Sequence, residues 1–406
     1  MMSSRLAFIW IFCIQFSHAP GFSHPLFTFG CLVTTAIFLL YFIPSTATFT
    51  KELVDRRVFN LGTLSLTIFV LYIFVCITSI ITNKDLHEKF LNYSLAYIWF
   101  FGSILTICFL GKIVSQKANG ATLSFYITLG LSVSAFFSLA EYIFHFLFID
   151  IGSYIPRPDR ASYFYNHPIL GYRVRAFNYE SANLAVFANL MVTAILAIDQ
   201  YVSRVGKKLL ICSILAWLFL LFSTWSSVGL LLSIPIFIYI FFKKMSNVQR
   251  LILLLFLFGI FTLKPELMEK GIDIIYMKAL GYIGVTRDMA SANIRADLLN
   301  IGVDGLSDYI FTGAGPAGFY YISSTGLNNL YLMLGVQFGI LGFLLLPALF
   351  YFSFLILCYK RLFLCSYMFV IVGVFLWFVG DFWIPQLLVP FFIGTYILTL
   401  SRESRT

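Results

Sequence analysis

Four arginines and no lysine lie between residues 150 and 180: Arg157, Arg160, Arg173 and Arg175. The choice of cation matters, because a guanidinium offers a rigid fork of donors matched to phosphate oxygens, whereas an ammonium acts as a point charge. Glu180 closes this stretch just where an apolar run begins. A carboxylate at a helix N-terminus is stabilised by the helix dipole, and Arg173 and Arg175 keep it charged. It can therefore cap the helix or accept a proton from a substrate hydroxyl. A second polar stretch, residues 264–328, sets Arg287 and Arg295 among Glu266, Glu269, Asp273, Asp288, Asp297, Asp304 and Asp308. Isolated cations in mildly acidic surroundings point to specific contacts rather than a bulk field. Within it, GAGPAGF at 313–319 reads as a turn whose glycines permit close backbone approach to a ligand. The turn follows no strand, which removes a nucleotide-binding reading.

Plainer explanations stand beside these. Arg157 and Arg160 are accounted for equally by pairing with Asp159 and Glu180 inside a folded loop. The aromatics around them, among them Tyr154, Tyr163, Tyr165, Tyr172 and Tyr179, can stack on sugar rings. Tyrosine also gathers at membrane interfaces, and that reading covers most of them.

The elements that must position these residues are apolar. Of 406 residues 60% are hydrophobic, 19% aromatic and 11% charged, with a mean hydropathy of +0.91, which fits a polytopic membrane protein and no soluble class. The net charge of +9 does not form a stripe, so nucleic acid is not an expected partner; the basic residues recur in short groups between apolar runs. A span needs about 20 apolar residues. That rule selects 5–19, 26–43, 61–82, 90–111, 121–149, 181–202, 209–224, 227–242, 251–263, 329–358, 362–380 and 384–400. The expectation is an all-α polytopic membrane protein of about 12 transmembrane helices, forming a single integral domain over 1–406.

The short connections holding Lys51, Arg56, Arg57, Lys112, Lys117, Arg204, Lys207, Lys208, Lys243, Lys244, Arg250, Lys360 and Arg361 are all expected on one side, the inner one, with both chain termini. The two long loops, 150–180 and 264–328, then face outward, where sites concentrate. Residues 5–19 share features with a cleaved leader and are read as an uncleaved first helix. Within the spans Glu141 and Asp199 are the notable charges, too few for an ion pathway. Asp199 is expected at the inner headgroups near Arg204, and Glu141 two or three turns from the outer surface. The seven cysteines sit in or at the ends of apolar runs, without zinc-type spacing.

Taken in order, Arg175, Phe177, Glu180, Asn183 and Ala185, then Arg295, Gly313-Ala314-Gly315, Phe319, Asn329, Leu332, Gly339 and Gly342 resemble the signature of the bacterial O-antigen polymerase and O-antigen ligase superfamily. The resemblance covers residues 170–345 and agrees with the topology of the whole chain. It implies a helical architecture similar to C-type glycosyltransferases, with periplasmic long loops, in a bacterial inner membrane, with no cofactor, metal or nucleotide-sugar site. The implied donor is a glycan on undecaprenyl pyrophosphate and the acceptor a repeat unit on the same lipid. An acceptor hydroxyl attacks the donor's anomeric carbon and the lipid pyrophosphate leaves. Glu180 would be the base and Arg295 a catalytic cation. Arg173 and Arg175 would hold pyrophosphate, with Arg160, Arg287, Asn328 and Asn329 further contacts to pyrophosphate or glycan. Membrane lipids and a chain-length regulator are the other implied partners.

Two positions depart from the pattern. Asn328 stands where ligases carry the histidine of a His-Asn pair, and Ser226-Ser227 stand where many members have Ser-Arg. The first departure favours a polymerase over a ligase acting on lipid A core or protein. A lipid or sugar transporter is the alternative of a different class.

Overall fold

The structure, a computed structural model, describes residues 2–16, 29–55, 60–83, 85–117, 119–149, 174–176, 178, 181–251, 290–323, 327, 329–377 and 384–403. Among them regular structure is entirely helical. The helices are α1 (Met2–Cys13), α2 (Phe29–Val54), α3 (Leu61–Thr82), α4 (Phe90–Ser115), α5 (Gly120–Phe146) and α6 (Ser181–Tyr201). They continue with α7 (Lys207–Thr224), α8 (Ser227–Lys243), α9 (Ala290–Asp308), α10 (Leu330–Tyr359), α11 (Phe363–Trp377) and α12 (Val389–Glu403). Seven of these are long and apolar enough to cross a membrane, namely α2 to α7 and α10, while α1, α8, α11 and α12 are apolar but shorter. The chain is thus a helical protein of multi-pass membrane type. The expected span at 251–263 lies outside the described residues except for Leu251.

Helix α6 is the axis of the bundle. Every residue from Ser181 to Ile198 except Ala182 is buried, as expected of a helix packed on all sides. Helices α5, α7, α8 and α11 pack against it, and α4 forms a second centre between α2, α3 and α12. The bundle periphery exposes Leu39, Ile43, Phe74, Ile81, Leu215 and Leu231, side chains that lipid solvates without cost.

Chain alternation gives the bundle two chemically different ends. The basic end gathers the closures after α2, α4, α6, α8 and α10. There Lys112 pairs with Glu52, joining α4 to α2, and Lys244 pairs with Asp199, joining α8 to α6. Asp199 also accepts from the Val205 amide at 2.7 Å, and its ionic partner is Lys244. The other end, here the arm end, carries the α3–α4 and α7–α8 turns, residues 174–176 and Asn178, the start of α6 and the 3₁₀ turn Pro385–Leu388.

One expected span is not a single helix. In α10 the backbone breaks at Gly339, with φ 72° and ψ −165°. A Cβ at Gly342 would lie 2.5 Å from the carbonyl oxygen of Leu334, eight residues back, where a straight helix would separate those positions by about 12 Å. The chain therefore folds sharply between a buried half, residues 330–338, and a longer half, residues 340–359. The longer half is itself about 30 Å long, the thickness of a hydrocarbon core.

Candidate functional site

The break in α10 creates the demand that the glycine-rich turn fulfils. Ending a helix leaves carbonyls without partners, and in an apolar interior each must find one. The Ala314 amide donates to Val336 O at 2.8 Å and the Gly315 amide to Gln337 O at 3.0 Å, while the Ile340 amide donates to Ile310 O at 2.7 Å. Gln337 locks the assembly. Its Oε1 accepts from the Ala317 amide at 2.8 Å, and its Nε2 donates to Tyr97 Oη at 2.8 Å and to Met333 O at 3.0 Å. Helix α3 joins through Ser79, whose hydroxyl donates to Gln337 O at 3.0 Å, and Asn83, whose Nδ2 donates to Gly313 O at 3.1 Å.

The close approach that these glycines permit is made to the chain itself. At Gly313, with φ 72°, a Cβ would collide with the Gln337 carbonyl group, and at Gly315, with φ 85°, it would crowd Leu86. The glycines let the turn approach the chain's own broken helix, and its Ala314 and Gly315 amides are spent there. Phe319 is likewise packing, buried with its ring 5.3 Å from that of Tyr93.

The first arm ends in a second construction, built on a carboxylate inside a span. Glu141, on α5, is 3% exposed. Its Oε2 accepts from the Arg175 amide at 3.2 Å and from the Ala176 amide at 2.9 Å. An ionisable group at membrane depth is costly unless it is hydrogen-bonded, and these two amides fill that need while fixing the loop. Ala176 takes φ 44°, a left-handed conformation unfavourable for alanine, and the Glu141 contact holds it. On either side, the Val174 amide donates to Ser223 O at 3.3 Å and the Asn178 amide to Arg175 O at 2.9 Å. Tyr142 donates to the same Ser223 carbonyl at 3.3 Å. Arg175, half-buried with its Nε out of solvent, thus stands on a turn fastened to both α5 and α7.

A pair of buried amides adjoins this turn. Gln386, in the Pro385–Leu388 turn, donates from Nε2 to Asn178 Oδ1 at 3.5 Å. Asn178 Nδ2, Gln386 Oε1, Ser181 Oγ and Asn183 Oδ1 are buried without a hydrogen-bond partner among the described residues.

Of the expected site residues, Arg175 and Asn329 are described in full. Asn329 caps α10, its Oδ1 accepting from the Leu332 amide at 3.0 Å, so its carbonyl end is structural. Arg295 falls on α9, which packs along α10, with Gly302 against Leu332; its side chain lies outside the described residues. Arg160, Arg173, Glu180, Arg287 and Asn328 also lie outside them. Helix α11 links the two halves, packing on both α6 and α10 and accepting from Tyr331 Oη at Gly373 O, 2.7 Å away. Sequence reasoning missed Gln337, Asn178 and Gln386. Gln337 and Gln386 carried a signal, an amide embedded in an apolar run, whereas Asn178, in the polar arginine arm, carried none. Among the described residues no three His, Cys, Asp or Glu side chains converge as a metal site would require.

No protein-family model matches the chain, and no curated protein matches it.

Proposed function

We propose that this chain is a metal-independent membrane glycosyltransferase that polymerises glycan repeat units carried on undecaprenyl pyrophosphate. In this reading the arm end faces outward from a bacterial inner membrane, twelve spans place both termini on the basic side, and prenyl chains lie against the bundle. Arg173, Arg175 and Arg295 hold the pyrophosphate and stabilise the charge that grows on it as the glycosidic bond breaks. Arg160 and Arg287 add to the field, and Glu180 takes the proton of the attacking hydroxyl.

The observation that carries this reading is the fastening of Arg175. A buried carboxylate and a strained alanine are committed to one turn that presents an arginine at the end of the bundle. Preorganised cations stabilise developing charge best because no reorganisation is needed at the moment of reaction. The test is the glycan pattern of a deletion strain of the source bacterium: a polymerase deletion leaves a band of one repeat, and a ligase deletion leaves none. Asn328 is the residue that favours the first outcome.

A further inference from the structure

The Asn178–Gln386 contact is half of an amide pair. One polar atom of each amide is used in the 3.5 Å bond, and the other is left, the donor Asn178 Nδ2 and the acceptor Gln386 Oε1. Rotating both amides by half a turn exchanges the atoms and leaves the same balance, so the demand does not depend on how nitrogen and oxygen were assigned. The side chains are 1% and 2% exposed, out of reach of bulk water, and unmade hydrogen bonds at such depth are costly. Two other interior amides are spent: Asn189 donates to Gly229 O at 2.8 Å and accepts from Trp217 Nε1 at 2.7 Å, and Gln337 is bonded at both ends. Gln15 Oε1, Asn183 Oδ1 and Asn329 Nδ2 are also without a partner among the described residues, but none of these three faces a second such amide across a hydrogen bond.

We propose that Asn178 and Gln386, with Ser181 three residues after Asn178, form a recognition subsite for a sugar substituent that both donates and accepts a hydrogen bond. A hydroxyl and an acylamino group meet that requirement. A phosphate offers acceptors alone, a carboxylate the same, and a prenyl chain neither. Asn178 stands three residues after Arg175, on the turn that Glu141 fastens, and its amide binds the Arg175 carbonyl at 2.9 Å. The subsite therefore adjoins the proposed pyrophosphate cation, where the first sugar of a lipid-linked glycan would lie; this placement rests on the function proposed above. The two side chains come from positions 208 residues apart, so the α6 side of the bundle and the Pro385–Leu388 turn must both be in place for the sugar to be read.

The experiment measures binding of three probes to the full-length protein in nanodiscs: undecaprenyl pyrophosphate, the same lipid bearing one glucose, and the same lipid bearing one N-acetylglucosamine. Wild type should bind at least one sugar-bearing lipid about tenfold more tightly than the bare lipid, the effect of one or two buried hydrogen bonds. Whether the preference is for N-acetylglucosamine or for both sugars names the acylamino or the hydroxyl group. Asn178→Leu and Gln386→Leu should abolish the preference while leaving the affinity for bare lipid unchanged. Asn178→Asp keeps an acceptor for Gln386, removes the free donor and adds a carboxylate that weakens all three pyrophosphate probes alike, so its readout is the ratio of sugar-bearing to bare lipid affinity, which should fall to about one; it serves if the leucine variants do not fold. A preference that survives in the variants, the amides then holding structural water only, overturns the subsite, as does a wild type that ignores the sugar. Either result leaves the pyrophosphate reading standing, whereas a wild type that fails to bind the bare lipid sinks the proposed function and the subsite with it.

Discussion

Replacing Glu141 should release the arginine turn before it harms the bundle. The Glu141 carboxylate satisfies the Arg175 and Ala176 amides, at 3.2 and 2.9 Å. In Glu141→Gln a neutral carbonyl can still accept both, so the loss is the difference between charged and neutral acceptors, about 1 kcal/mol per bond and about 2 kcal/mol together. In Glu141→Leu both amides lose their acceptor; orphaned buried donors cost about 1–3 kcal/mol each, and the left-handed Ala176 loses what holds it. Hydrogen–deuterium exchange reads these costs locally, since each 1.4 kcal/mol is a factor of about 10 in the opening equilibrium. The Arg175 and Ala176 amides should exchange about 30-fold faster in Glu141→Gln, and faster again in Glu141→Leu. Amides in the middle of α6 should keep wild-type protection. Equal exchange at 175 and 176 in wild type and Glu141→Leu would show that the carboxylate does not hold the turn.

Other substitutions test the second half of the site and the proposed chemistry. Gln337→Leu removes the partners of the Ala317 amide and the Tyr97 hydroxyl; a loss of about 2–5 kcal/mol is expected, seen as a lower midpoint of thermal unfolding in detergent. Gly339→Ala places a methyl 2.5 Å from Phe311 O at a positive φ and should cut the yield of folded protein. Gly206→Ala, where nothing lies within 4 Å of the added methyl, should match wild type on size-exclusion chromatography. Arg295→Ala should abolish polymerisation while the protein remains in the membrane, as read by a glycan ladder and membrane fractionation; full-length chains in that strain would remove Arg295 from the mechanism.

Much of the architecture could be read from apolar length alone, because a membrane span must be long and apolar whatever its neighbours. The break in α10 could not, since both halves are apolar and hydropathy records composition rather than path. Gly339 carried a signal, yet only the positive φ and the approach of Ile310 and Phe311 give it meaning. Glu141 was visible as a lone carboxylate in a span, but its partners are backbone amides, which have no signature in a sequence. Asn178 and Gln386 meet across 208 positions, a distance over which neither periodicity nor spacing informs. The glycines at 313 and 315 were recognised as allowing close approach; the partner turned out to be the chain's own helix.

The most direct test of the central claim is reconstitution of the purified protein in sealed vesicles with undecaprenyl-pyrophosphate-linked repeat units from the source organism, in the absence of any ion gradient. The account predicts a ladder of longer lipid-linked glycans that disappears in Arg295→Ala. Repeat units that cross the bilayer without being extended would contradict it and make the chain a transporter.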